Sequence, residues 1–221
     1  MLAKDLLSEV VPALRTSDSG KKALNYMEIF RVSHLPIVNN EEFLGLISDS
    51  DIYDMNKPKE PIGNHKLSLV RPFVYYNQHI YEIAVMMASQ KLTVIPVLNE
   101  KSIYIGLITL QDLLQGIARV TAIEKTGAII VLEMNINDYS ASLISQIIES
   151  NNSKILSMYT SDSEETMKMN VTIKLNTNDI TSIVQSFNRY NIIVAGSFGG
   201  ESEADTLYED RLNALFRYLN T

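Results

Sequence analysis

The chain has 221 residues, 46% hydrophobic and 20% charged, the balance of an ordinary globular protein of one or two domains. With no cysteine it holds neither disulfides nor thiolate-bound metals, and the scattered His34, His65 and His79 give no HExxH-type zinc helix. Its net charge of −7 lies mostly in the second half (7 basic against 13 acidic residues over 122–221, 12 against 13 over 1–121), so no basic face is offered to nucleic acid or an anionic membrane.

The chain opens on MLAKDLLSEV, which lacks the long apolar core of a signal peptide. Its longest apolar runs, such as 128–132, fall far short of the roughly 20 residues that span a bilayer. The expectation is a soluble, cytoplasmic protein. An amphipathic helix follows, capped by Ser17 or Asp18, with Ala23, Leu24, Met27 and Phe30 as its apolar stripe. Next come a short strand (35–38), a polar turn, a second strand (43–47) and a helix starting at Ser48. Residues 56–66 are polar and hold Pro58, Pro61 and Gly63, which oppose a continuing helix.

The same series then recurs. A helix capped by Asn77 carries Ile80, Ile83, Ala84 and Met87 at i, i+3, i+4 and i+7, and strands at 95–98 and 103–108 lead to a helix from Thr109. HLPIVNNEEFLGLISDSD (34–51) aligns with VIPVLNEKSIYIGLITLQD (94–112), matching Pro36 with Pro96, Gly45 with Gly106, Ser48 with Thr109 and Asp51 with Asp112. A helix–strand–strand–helix unit of this size cannot cover its own apolar face, so the two copies should pack as one domain. The repeated apolar-Pro-apolar strand and Gly-apolar-Ile-[Ser/Thr]-x-x-Asp resemble the CBS domain (cystathionine β-synthase motif). Residues 1–121 resemble a tandem CBS pair, with repeats at about 1–60 and 61–121.

Two readings of the repeated motif stand side by side. In one, Ser48 and Thr109 cap helices with a carboxylate three residues on, and Gly45 and Gly106 allow close helix–strand packing. In the other, the hydroxyl and the free N–H groups of a helix start hold an anion. For that second reading the CBS resemblance implies specific roles. Asp51 and Asp112 would accept a ribose diol, Ser48 and Thr109 would approach phosphate, and Pro36–Ile37 and Pro96–Val97 would line base pockets. The segments 10–11 and 70–71 would be lesser candidates for contacts to adenine. His34 stands two residues before the strand proline, where a basic residue reaches phosphate; its counterpart Val94 does not. The implied ligands are AMP, ADP, ATP or S-adenosylmethionine, with no obligatory cofactor and no metal.

The second half changes character. Strands at 127–135, 154–160, 167–175 and 192–198 alternate with helices at 140–150 and after Asn178 or Asp179, in the order β-α-β-β-α-β. That is a ferredoxin-like pattern, and residues 122–200 resemble an ACT domain, a module that often dimerises and binds amino acids. Asp138 and Leu143 match that family's first strand–helix loop, while Ser140 and Ala141 replace its Pro and Gly; Asp138 also reads as a helix cap. Residues 201–221 read as a C-terminal amphipathic helix carrying Leu207, Leu212, Leu215, Phe216 and Leu219. The overall expectation is an α/β (α+β) chain, a homodimer in the arrangement of acetoin-utilisation-type CBS–ACT accessory proteins. It would sense an adenosyl ligand and relay it to the ACT-like domain; the alternative is a ligand-free scaffold with an empty CBS pair that binds an unknown partner protein. No catalytic set is visible, so no enzyme is expected.

Overall fold

The computed structural model describes residues 1–55, 57–65, 69–163 and 167–199. The chain forms two compact units, Met1–Val120 and Thr121–Thr221, each with its own core.

The first unit contains α1 (Gly20–Phe30), β1 (His34–Asn39), β2 (Glu42–Ser48) and α2 (Asp49–Tyr53), then β3 (Val74–Tyr75), α3 (Ile80–Ser89), β4 (Val94–Leu98), β5 (Tyr104–Thr109) and α4 (Leu110–Val120). β1 and β2 form an antiparallel hairpin, as do β4 and β5, and β3 adds in parallel to β4. Leu14 plays the part of β3 for the first copy: its N–H donates to the Pro36 carbonyl at 2.8 Å, and its carbonyl accepts from Val38 at 2.7 Å. Each hairpin carries a register shift at the same place, after Ile37 and after Val97. Leu35, Ile37 and Ile47 share one continuous core with Ile95, Val97 and Ile108, so each copy covers the apolar face of the other.

The glycines do something other than seat a helix on a strand. Gly45 and Gly106 lie at φ +155° and +152°, and a Cβ on Gly45 would meet the Leu69 Cβ at 2.6 Å, while one on Gly106 would meet Leu7 Cδ2 at 3.1 Å. Beside them the Leu46 N–H donates to Val70 O (2.9 Å), and the Ser8 N–H donates to Leu107 O (2.8 Å). Each repeat's lead-in segment is therefore exchanged onto the second hairpin strand of the other repeat.

Several helix caps differ from the sequence expectation. Ser19, not Ser17 or Asp18, caps α1 by accepting from the Lys22 N–H; Asp18 instead takes the Arg15 N–H and the Lys22 ammonium. His79, not Asn77, caps α3, because a neutral imidazole nitrogen accepts from an N–H as an amide oxygen does, and Glu82 returns a bond to the His79 N–H.

In the second unit, β6 (Ile129–Asn135), α5 (Ala141–Ser150), β7 (Ile155–Asp162), β8 (Lys168–Leu175), α6 (Thr181–Arg189) and β9 (Ile193–Phe198) follow in order. The sheet runs β7-β8-β6-β9, antiparallel throughout, which is the ferredoxin-like arrangement. Although its sequence is apolar almost throughout, β6 alternates: Ile130, Leu132 and Met134 are buried, and Ile129, Val131 and Glu133 are half-buried. The inward set packs with Val171 and Ile173 of β8 and with Ile144, Ile147, Ile183 and Phe187 of the two helices. Ser140 caps α5 through the Leu143 N–H, whereas Asp138 accepts from the Asn135 amide and caps nothing. The helix read at the C-terminus lies outside the described residues.

Candidate functional site

Both repeated motifs fold into the same small device. In the first copy the Asp51 N–H donates to Ser48 Oγ (3.1 Å), while the Ser48 N–H (2.8 Å) and hydroxyl (2.7 Å) both donate to Asp51 Oδ2. In the second, the Asp112 N–H donates to Thr109 Oγ1 (3.1 Å), and the Thr109 N–H (3.0 Å) and hydroxyl (2.6 Å) donate to Asp112 Oδ2. These are complete capping boxes with Asp in place of Glu. Each engages one carboxylate oxygen, so Oδ1 of Asp51 and of Asp112 accepts no hydrogen bond among the described residues.

The helices behind them differ. α2 is 5 residues long and α4 is 11. Thr109 is almost fully buried while Asp112 is half-buried, and both line a cavity of about 440 Å³. Other lining residues come from elsewhere in the unit, among them Val10 and Val11 of the first lead-in segment, Arg31 after α1, and Thr93 before β4. The cavity is thus built from both repeats, with the motif of the second facing the lead-in and helix end of the first.

The predicted base-pocket residues Pro36, Ile37, Pro96 and Val97 sit in the strand interiors, Ile37 at 1% and Val97 at 0% exposure, and the lining of this cavity includes none of them. Val10 and Val11, the lesser candidates, do line it.

His34 is half-buried, and its ring is turned across to the other repeat. The Thr93 N–H donates to His34 Nδ1 (3.4 Å), so the Thr93 hydroxyl, 3.0 Å from the same nitrogen, donates to it as well, while Thr93 Oγ1 accepts from the Ser33 N–H (2.9 Å). Nδ1 therefore accepts, and the neutral ring carries its proton on Nε2. Burial holds the imidazole below the usual histidine range, against the upward pull of Asp49 and Asp51.

Arg31 and Thr93 were not singled out from the sequence. A signal for the first was present. Arg31 and Lys91 occupy the same position in the two copies, Arg31 directly after α1 and Lys91 with one residue between it and the end of α3, where glycine is a usual residue. Both adopt left-handed backbone, at φ 54° and 53°. Among the described residues no helix is long and apolar enough to cross a membrane, and no group of three or more His, Cys, Asp or Glu is placed to hold a metal ion.

Two interlocked α/β repeats that exchange their lead-in segments around a shared groove define the first unit as a paired-repeat module. Residues 3–56 and 69–119 each match the CBS domain family, so this unit is a tandem CBS domain pair. Among curated proteins the chain resembles homoserine O-acetyltransferase of Methanococcus vannielii, 22% identical over 117 residues, which are 51% of this chain but 24% of that enzyme. The chain therefore spans about a quarter of that relative. Among solved structures it resembles a CBS domain pair/ACT domain protein of Thermotoga maritima (20% identity, TM-score 0.48, covering 54% of this chain and 98% of the other). It also resembles CBSX2 in complex with AMP (16%, 0.45, 54% and 97%) and the CBS domain of a bacterial CNNM/CorC family Mg2+ transporter in complex with ATP (16%, 0.43, 53% and 87%).

Proposed function

We propose that the protein is a non-catalytic regulator whose CBS pair binds an adenosyl nucleotide in the cavity beside Thr109 and Asp112. The carrying observation is that this capping box stands in a cavity wall with Asp112 half-exposed and its Oδ1 uncommitted. A ribose diol donates to that oxygen, phosphate approaches the Thr109 end of α4, and the base rests on Val10 and Val11. Ser48 and Asp51 are the equivalent groups for a second, weaker position on a helix of 5 residues. In this reading ligand binding shifts the packing of the two repeats, and the shift is relayed to the ferredoxin-like, ACT-like unit, through which the chain forms a cytoplasmic homodimer. The order of units resembles that of acetoin-utilisation-type accessory proteins. A second reading, a ligand-free scaffold that binds a partner protein, draws on the capping boxes being complete without any ligand.

Isothermal titration of the ligand-stripped chain with AMP, ADP, ATP, S-adenosylmethionine and adenosine separates the two readings. At least one should bind with micromolar to sub-millimolar affinity, and Asp112→Ala should weaken it by about tenfold or more, as expected for removing a charge-assisted hydrogen bond. Absence of binding by every adenosyl compound at millimolar concentration overturns the sensor and leaves the scaffold.

A further inference from the structure

We infer that Arg31 is the phosphate anchor of the Thr109–Asp112 cavity and makes it selective for a nucleoside monophosphate. The inference rests on the adenosyl-binding reading above and adds to it the group that sets which adenosyl compound is preferred. From the sequence this position looked short of positive charge, since Val94 stands where a basic residue would reach phosphate. The structure supplies a cation from the other repeat. Arg31, the residue after α1, is the sole Lys, Arg or His in the lining of this cavity.

Arg31 is exposed, and two features connect it to the cavity. First, it lines the same cavity as the Thr109 end of α4 and as Asp112, whose Oδ1 is uncommitted. Second, its guanidinium makes no hydrogen bond or ion pair among the described residues, so its fork of donors is available to a planar oxyanion edge. The charge balance sets the ligand. One arginine and one carboxylate face the cavity, and with the carboxylate engaged by ribose, one cation remains for phosphate. That suits a single phosphate; the further charges of a di- or triphosphate find no second cation in the lining.

The test is titration of the full chain and of Arg31→Gly, a substitution suited to left-handed backbone, with adenosine, AMP and ATP. The wild type should bind AMP at least about tenfold tighter than adenosine and ATP no tighter than AMP, the scale expected of one charge-assisted pair. In Arg31→Gly the AMP affinity should fall to within about twofold of that for adenosine, adenosine affinity itself should hold, and Arg31→Lys should retain part of the preference. An unchanged AMP-to-adenosine ratio in Arg31→Gly overturns the anchor while leaving the sensor intact, as does a preference that survives Arg31→Gly but disappears in Lys91→Gly. No binding of any adenosyl compound by the wild type removes the sensor and the anchor together.

Discussion

At the scale of single residues, the second copy's motif is the better placed of the two, and His34 is the clearest case of a side chain taken out of its expected role. It stands where a phosphate contact would be read, yet Thr93 claims its Nδ1 and couples the start of β1 to the segment before β4. Protonation would place a hydrogen on Nδ1 facing the Thr93 hydroxyl and N–H, so the folded state favours the neutral ring. The imidazole's folded value is depressed below the ordinary 6.5. The unfolded chain therefore binds the proton more readily, and the contribution is fully present above about pH 6.5 and lost as pH falls through the folded value. Melting temperature measured between pH 7.5 and 5 should fall in the wild type, and His34→Gln, which cannot titrate, should lower the value at pH 7.5 while flattening the slope. Parallel pH profiles for the two proteins would show that His34 contributes nothing to the dependence.

At the scale of elements, the alternating strands, the hairpins and the Ser/Thr–Asp helix starts were legible because each is a local pattern of a few residues, whereas the register shifts after Ile37 and Val97 were not. Ile130 and Leu132 show the limit of that legibility: an apolar run such as β6 does not say which of its faces is covered until α5 and α6 are placed. The exchange of lead-in segments was not legible at all, since Gly45 meets Leu69 and Gly106 meets Leu7 across long separations that leave no periodic trace. The two glycines nevertheless carry unequal loads. A methyl group on Gly45 strikes the Leu69 Cβ and lies 3.1 Å from the Val70 carbonyl, both held by the chain, whereas on Gly106 it meets the mobile end of Leu7. Gly45→Ala should therefore destabilise the first unit by about 2–3 kcal/mol, and Gly106→Ala by clearly less, in urea unfolding followed by circular dichroism. Equal losses would mean that the backbone conformation, which the two positions share, sets the cost and the exchanged segment does not.

At the scale of the whole molecule, the two units have separate cores, so ligand binding to the first is expected to appear as a selective thermal shift. Scanning calorimetry of the full chain should resolve two transitions, and Gly45→Ala identifies the first unit's by lowering it. A ligand at one hundred times its dissociation constant stabilises its own unit by about 2.7 kcal/mol. For a unit of about 120 residues that corresponds to roughly 10 °C. The second transition carries the information about relay. A signal passed from the CBS pair to the ferredoxin-like unit is a coupling free energy, commonly about 1–3 kcal/mol, and it must appear as stabilisation or destabilisation of the second unit by the same ligand. AMP should therefore move the second transition by at least about 3 °C, in either direction, with the movement absent in Asp112→Ala. A first transition that rises while the second stays fixed would keep the sensor and remove the relay. The regulatory output would then have to come from the surface of the CBS pair itself.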